Sequence, residues 1–262
     1  MKQIIKAFAK FNLLLNILPK ANNKTKHVLQ SIICLDYMHY DEIIIEVADV
    51  FSVTYYQNNH YLIIKNDSIT ASLFWLKKQF PNLKLNYKIT VIKHIPIGSG
   101  LGGESSDSAS VLNFILKQNN YSLTDDLKLD LALNVGSDIC FFLLQYPQAY
   151  VCEYGNKVIA LPPFKIKYLL ALNNAYCATK QVFANFDELP ILNANNYSYQ
   201  ECLAIVKSQQ WDKLTNNLLA SAFATNIELK TIYFALVSHY PSHYVLLNGS
   251  GSSFLLISKS KL

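Results

Sequence analysis

Over the first eighty positions, apolar residues fall in short runs broken by polar clusters. The segments "QIIKAFAKFNLLLNIL", "HVLQSIICLD", "DEIIIEVADVFSVTYY" and "HYLIIK" are rich in Ile, Val and Tyr. Asn-rich turns such as "KANNKTK" separate them, so they read as strands. In "DSITASLFWLKKQF" the period changes: Ile69, Leu73, Leu76 and Phe80 recur at helical spacing, and Pro81 closes the run. An alternating strand, "LNYKITVIKHIP", then leads straight into "PIGSGLGGESSDSASVL", residues 96–112. Past the glycines, Ser105 occupies a natural N-cap position, and Val111, Leu112, Ile115 and Leu116 share one helical face. The glycine stretch is therefore predicted to connect a strand to a helix. A second helix over "TDDLKLDLALNV" precedes the apolar run "GSDICFFLLQ".

In "GNKVIALPPFKIKYLLALNN" two prolines are followed by a fresh strand pattern, which marks a domain junction. Helices are predicted in "TKQVFANF", "YQECLAIVKSQQ", "DKLTNNLLASAFA" and "NIELKTIYFALVSHY", and two closing strands, "HYVLLN" and "SSFLLIS", are joined by "GSGS". The pattern predicts an α+β protein with domains over 1–160 and 161–262, the second a mixed sheet with helices on one face.

Composition narrows the function classes. With 51% apolar and 16% charged residues among 262, the chain is globular. Its net charge is +5, yet it contains no arginine, and its lysines are dispersed. That argues against a nucleic-acid footprint and fits a small anionic substrate. The apolar runs are too short or too interrupted by lysine to span a bilayer, and no secretory cleavage site is evident, so a cytoplasmic protein is expected. Five scattered cysteines with no C-x-x-C pair point to neither a zinc site nor a disulfide framework.

The candidate chemistry centres on residues 96–112, which hold four of the chain's 8 glycines. Gly98, Gly100 and Gly103 match the dinucleotide fingerprint G-x-G-x-x-G, but some eighty strand-rich residues precede them and a helical pattern occupies the place of the second buried strand. A Walker A loop fails for want of Gly-Lys-Ser/Thr. What remains is common to both motifs: glycines that let the main chain approach a polyphosphate, and free N–H groups at a helix N-terminus. The hydroxyls of Ser105 and Ser106 are placed to reach a phosphate or a magnesium ion. A purely structural glycine turn is the competing reading. Elsewhere, Lys10 and Asn12 lie two apart on a strand and share a face, while Asp138 stands at the mouth of an apolar run.

Taken in order, four segments resemble the GHMP kinase superfamily almost end to end: "AFAKFNLLLNIL", "PIGSGLGGESSDSASVL", "GSDICFFL" and "LNGSGSSFLLIS". Within it, they are similar to the branch that phosphorylates a hydroxyl of a cytidylated polyol in the non-mevalonate route to isoprenoids. The resemblance implies an N-terminal α/β domain carrying the glycine-rich phosphate loop, a C-terminal ferredoxin-like domain and a site in the cleft between them. It implies ATP and Mg²⁺ as cofactors, with Asp138 as general base and Lys10 beside it steadying the phosphoryl group. ATP would contact Lys93, Pro96, Gly98, Ser99, Gly100, Leu101, Gly102, Gly103, Glu104, Ser105 and Ser106, with Ser105 also the metal residue. Asn12, His27, Thr179, Phe183, Gly249 and Ser250 would meet the substrate, His27 and Phe183 at the cytosine, and Gly251 would help close the site. Expected partners are a small molecule bearing cytidine diphosphate, with no nucleic acid and no membrane, and a monomer or homodimer. Lys26 stands where the family pattern has a tyrosine, Glu104 where it has glycine, and Tyr61 where it has asparagine. These departures leave a different small-alcohol acceptor, or a nucleotide-binding protein without catalysis, as alternatives.

Overall fold

The structure, a computed structural model, describes residues 2–20, 26–65, 67–189 and 197–260, so most of the turn expected at "KANNKTK" lies outside the described residues. The larger sheet is built from β1 (Lys2–Ile17), β2 (Leu29–Val47), β3 (Ser52–Gln57), β4 (His60–Leu62), β5 (Tyr87–Ile92), β6 (Gln148–Glu153) and β7 (Lys157–Ala160). Its order is β4-β3-β5-β2-β6-β7 with β1 paired to β2, and every pairing except the parallel β3–β5 is antiparallel. Two expected strands have merged: β2 runs unbroken through "LDYMHYDE". The polar cluster there is an irregularity inside the strand, with the register shifting between Phe8 and Ala9. Asp36 sits in it fully buried because Tyr168 Oη, His39 Nδ1 and the Met38 N–H all bond to its carboxylate.

Helices α1 (Ser68–Gln79), α2 (Gly103–Asn119), α3 (Asp125–Asn134) and α4 (Ile139–Leu144) cover one face of this sheet. Ile43, Ile45, Ile89 and Val91 of the strands meet Leu73, Leu76, Leu112, Ile115 and Phe141 of the helices in one core. Burial of such side chains contributes roughly 1.5–3 kcal/mol each. Asp67 caps α1 by accepting the Thr70 N–H at 2.7 Å, and Thr124 caps α3 in the same way.

The second sheet has the order β8-β10-β9, formed by β8 (Tyr168–Ala171), β9 (His243–Leu247) and β10 (Phe254–Ser258). Among the described residues it has three strands, one fewer than a complete β-α-β-β-α-β ferredoxin-like sheet. Around it lie α5 (Thr179–Glu188), α6 (Tyr199–Ser208), α7 (Leu219–Thr225) and α8 (Glu228–His239). The helix expected over "DKLTNNLLASAFA" is broken. A 3-10 turn at Trp211–Lys213 precedes α7, because Thr215 and Asn217 bond instead to the main chain of Leu15 and Ile17. β1 thus belongs to both halves. Its Phe11 and Leu14 pack with Ile205 of α6 and Leu255 of β10, while Ala7 faces the first core.

Candidate active site

Two glycine turns meet over the inner end of β1. Gly98, Gly100 and Gly102 have φ of 72°, 78° and 72°, the left-handed region where only glycine is free of penalty. Gly102, not Ser105, is the N-cap of α2, so the helix begins three residues earlier than the serine pattern predicts. Contact as well as conformation keeps this position glycine: a Cβ on Gly102 would lie 3.0 Å from the Phe142 ring and 3.1 Å from the Lys10 stem. From the second domain, the turn 248–253 docks backbone to backbone on this loop. Ser252 and Ser253 donate their N–H groups to the carbonyls of Gly98 and Ser99 at 3.0 and 3.1 Å. Asn248 Oδ1 accepts the Asn12 N–H at 2.9 Å, and Asn216 Nδ2 holds the carbonyls of Leu247 and Gly249.

A cavity of about 320 Å³ lies at this junction, within the range of small-molecule sites. Lys10, Asp138, the loop from Pro96 to Ser105, Thr179, Phe183, Gly249 and Ser250 all line it. The Lys10 side chain is only 3% exposed, and its ammonium donates to Asn12 Oδ1 at 2.6 Å and lies 3.4 Å from Asp138 Oδ2. Asn12 in turn donates one N–H to Ser31 Oγ at 2.8 Å, so its amide orients the lysine while it lines the cavity. Asp138 occupies the N-cap position of α4 but makes no capping bond, which leaves a carboxylate 32% exposed to the cavity.

The other expected residues divide by what their side chains already hold. Ser105 and the exposed Glu104 stand in the first turn of α2 on the cavity wall, where the helix dipole favours an anion. Ser106 is buried and donates its hydroxyl to the Phe8 carbonyl at 2.6 Å, and Leu101 is a core side chain that offers only its backbone. Thr179 and Ser250 bond to each other at 2.9 Å. His27 stands behind Phe183, ring centroids 5.4 Å apart, with its Nε2 2.7 Å from Asp187 Oδ1. Lys26, in place of an aromatic ring, donates to the Ala132 carbonyl in the last turn of α3, and burial lowers its pKa. Tyr61 is exposed on β4, edge-on to Tyr56.

Lys93 differs most from expectation. Although it lines the cavity wall, its ammonium turns beneath the loop, 1% exposed, between Asp41 Oδ2 and Asp107 Oδ2 at 2.5 and 2.7 Å. Burial pushes the Asp107 carboxyl up to about 7, against the pull of Lys93. Burial would lower the lysine, yet Asp107 and Asp41 hold it above its ordinary value. Asp41 did carry a sequence signal, since it lies in phase with the buried Ile43 and Ile45 on β2.

The residues present suit a polyphosphate with a magnesium ion. The glycines bring bare backbone to the cavity, and Ser105, Glu104 and Asp138 set the hard oxygen donors that magnesium prefers upon its wall. Among the described residues no group of three or more His, Cys, Asp or Glu forms a ready metal cage.

Residues 68–146 match the family described as GHMP kinases N terminal domain. A 4-diphosphocytidyl-2-C-methyl-D-erythritol kinase of Ureaplasma parvum serovar 3 is 32% identical over 261 residues, covering 97% of this chain and 94% of the relative. Another kinase of that name, from Pelagibacter ubique, is 28% identical over 98% of this chain and 89% of its own. Among solved structures, a 4-(cytidine 5'-diphospho)-2C-methyl-D-erythritol kinase superposes with a TM-score of 0.71 at 22% identity, covering 98% of this chain and 91% of that one. Mevalonate pyrophosphate decarboxylase from Streptococcus pyogenes shares the fold at a TM-score of 0.65 and 12% identity, covering 98% of this chain and 89% of that one.

Proposed function

The chain belongs to the 4-diphosphocytidyl-2-C-methyl-D-erythritol kinases within the GHMP kinases, and from that membership we propose that its cleft works with Asp138 as the base and Lys10 as the phosphoryl-steadying cation. The reaction is ATP-dependent phosphorylation of a hydroxyl of 4-diphosphocytidyl-2-C-methyl-D-erythritol, a step of non-mevalonate isoprenoid biosynthesis. One observation carries the residue assignment: the Lys10–Asp138 pair, 3.4 Å apart, lines the same cavity as the N-terminus of α2.

Phosphoryl transfer needs positioning and charge neutralisation more than covalent help. Asp138, free of a capping bond, accepts the hydrogen bond of the acceptor hydroxyl and takes its proton as the new oxygen–phosphorus bond forms and the bond from the γ-phosphorus to the bridging oxygen breaks, releasing ADP. Lys10 offers its remaining proton to the phosphoryl oxygens, and Asn12 holds it in place. The backbone of residues 98–103 and the first turn of α2 cradle the phosphates, with Ser105 and Glu104 placed to hold magnesium. When bound, magnesium neutralises charge between the phosphates. The division at 160/161 gives the phosphate loop to the first domain, while Thr179, Phe183, Gly249 and Ser250 of the second face the cytidine end. The reading carries with it a cytoplasmic enzyme, monomeric or homodimeric. Among the described residues no helix is long and apolar enough to cross a membrane.

A coupled ADP-release assay with Mg²⁺-ATP and the cytidylated substrate tests this directly. Turnover that exceeds that of a panel of small alcohols supports the assignment, and a better acceptor without cytosine overturns it. Phe183→Ala is expected to raise KM for the cytidylated acceptor by roughly tenfold, the loss of one base-stacking ring, with KM for ATP unchanged. An unaltered acceptor KM would remove Phe183 from the cytosine.

A further inference from the structure

Asp41, Lys93 and Asp107 come from three elements, and none is used by the chemistry above. All three are buried, and two carboxylates share one ammonium. Such a group is no bargain for stability, since removing charges from water costs several kcal/mol per ion and an apolar replacement often does as well. What distinguishes this group is what it joins. Asp41 Oδ1 accepts the N–H groups of His94 at 2.5 Å and Ile95 at 2.8 Å, the residues by which β5 enters the glycine loop. Asp41 Oδ2 lies 3.3 Å from where a Cβ on Gly103 would be, at the loop's exit into α2. Lys93 extends the link from Asp41 to Asp107, the fifth residue of α2, and its own N–H is held by the Tyr56 carbonyl of β3.

Both ends of the loop are therefore tied to one carboxylate on β2. The loop's N–H groups can stabilise phosphate charge only if they are fixed before it arrives, within about half an ångström of the productive place. We propose that Asp41 is a positioning residue for ATP, setting the separation of the loop's two ends through the main chain of His94 and Ile95 and, by way of Lys93, through Asp107. Lys93 serves the nucleotide from beneath, through carboxylates, and does not touch phosphate. The proposal rests on ATP lying over this loop.

Asp41→Asn is the informative substitution. It keeps the shape and an oxygen for the two N–H groups but turns an amide toward Lys93, releasing the tie to α2. It also removes one negative charge from a group that has one in excess, so the fold is expected to survive. KM for ATP should rise about tenfold or more, with kcat at saturating ATP and KM for the acceptor within about twofold of the wild type. A purely structural role would lower kcat through loss of folded enzyme and leave both KM values alone, and that outcome overturns the proposal. The wild type offers a second check that needs no variant. By hydrogen exchange, the His94 and Ile95 amides should be as protected as those in the middle of β5, and exchange as fast as that of open loop amides would be equally fatal. If the wild type does not bind ATP, the function proposed above fails first, and direct nucleotide titration separates the two cases.

Discussion

Asp138→Asn is expected to lower kcat by roughly a thousandfold while leaving KM for ATP and for the acceptor within a few-fold, the effect of removing a positioned general base. Three features make this substitution clean. Asp138 makes no capping hydrogen bond to α4, so helix stability is not at stake. Its side chain lines the cavity, where an amide of the same size can stand in its place. Its ion pair among the described residues, with Lys10 at 3.4 Å, is long, and Lys10 keeps its shorter bond to Asn12. The melting temperature should therefore stay within about 2 °C of the wild type, since substitutions of this kind usually change stability by less than ~0.5 kcal/mol. Steady-state kinetics with the cytidylated substrate, alongside a thermal melt, read both quantities. A kcat within tenfold of the wild type would mean that the hydroxyl proton leaves by another route, and the assignment of Asp138 would have to be given up.

Much of this site was legible in the sequence because its logic is local. Period-2 spacing puts Lys10 and Asn12 on one face of β1, and a strand running into glycines and then a helical pattern favours a phosphate-type connection over a structural turn. What escaped was decided by distant contacts. Lys93 lies in phase with the buried Ile89 and Val91, but a lysine is solvated by default and nothing in "VIKHIP" announces the carboxylates 52 positions before it and 14 after that enclose it. The strand pattern breaks at the polar cluster "DYMHYDE", yet Tyr168, 132 positions along the chain, satisfies Asp36 and lets β2 continue through it. In "DKLTNN" the helical pattern loses to β1, which offers Thr215 and Asn217 better partners than a helix interior would. Asp187 carries no local signal, because its partners, Lys20 and His27, lie more than 150 positions away.

The close approach of the two glycine turns sets the other large effect. A Cβ on Gly100 would lie 2.1 Å from the carbonyl oxygen of Asn248 and 3.0 Å from that of Gly251, both backbone atoms that no rotamer change can move. Gly100→Ala must therefore either push the turn 248–253 off the phosphate loop or abandon the φ of 78° that shapes the loop. The unfavourable φ costs roughly 1–2 kcal/mol and the overpacking about 1–3 kcal/mol, so a loss of about 2–5 kcal/mol is expected. For a chain of this size, that corresponds to a fall of roughly 5–15 °C in melting temperature. Catalysis should suffer beyond the loss of folded protein. The same displacement pulls Asn248 from the Asn12 N–H and Gly249 from beside Lys10, loosening the strand that carries the phosphoryl-steadying cation. Measured below the variant's melting transition, kcat/KM for ATP is expected to drop at least a hundredfold, because a shift of about 1 Å in a positioning element is enough for that. Leu76→Ala supplies the control. Leu76 is fully buried in the first core and does not line the cavity, so its truncation costs about 2–5 kcal/mol without touching either glycine turn. Comparable losses of stability in the two variants, with a kcat/KM deficit confined to Gly100→Ala, would show that the docking of the two turns is a condition of catalysis. Equal kinetic losses would reduce it to a matter of fold stability.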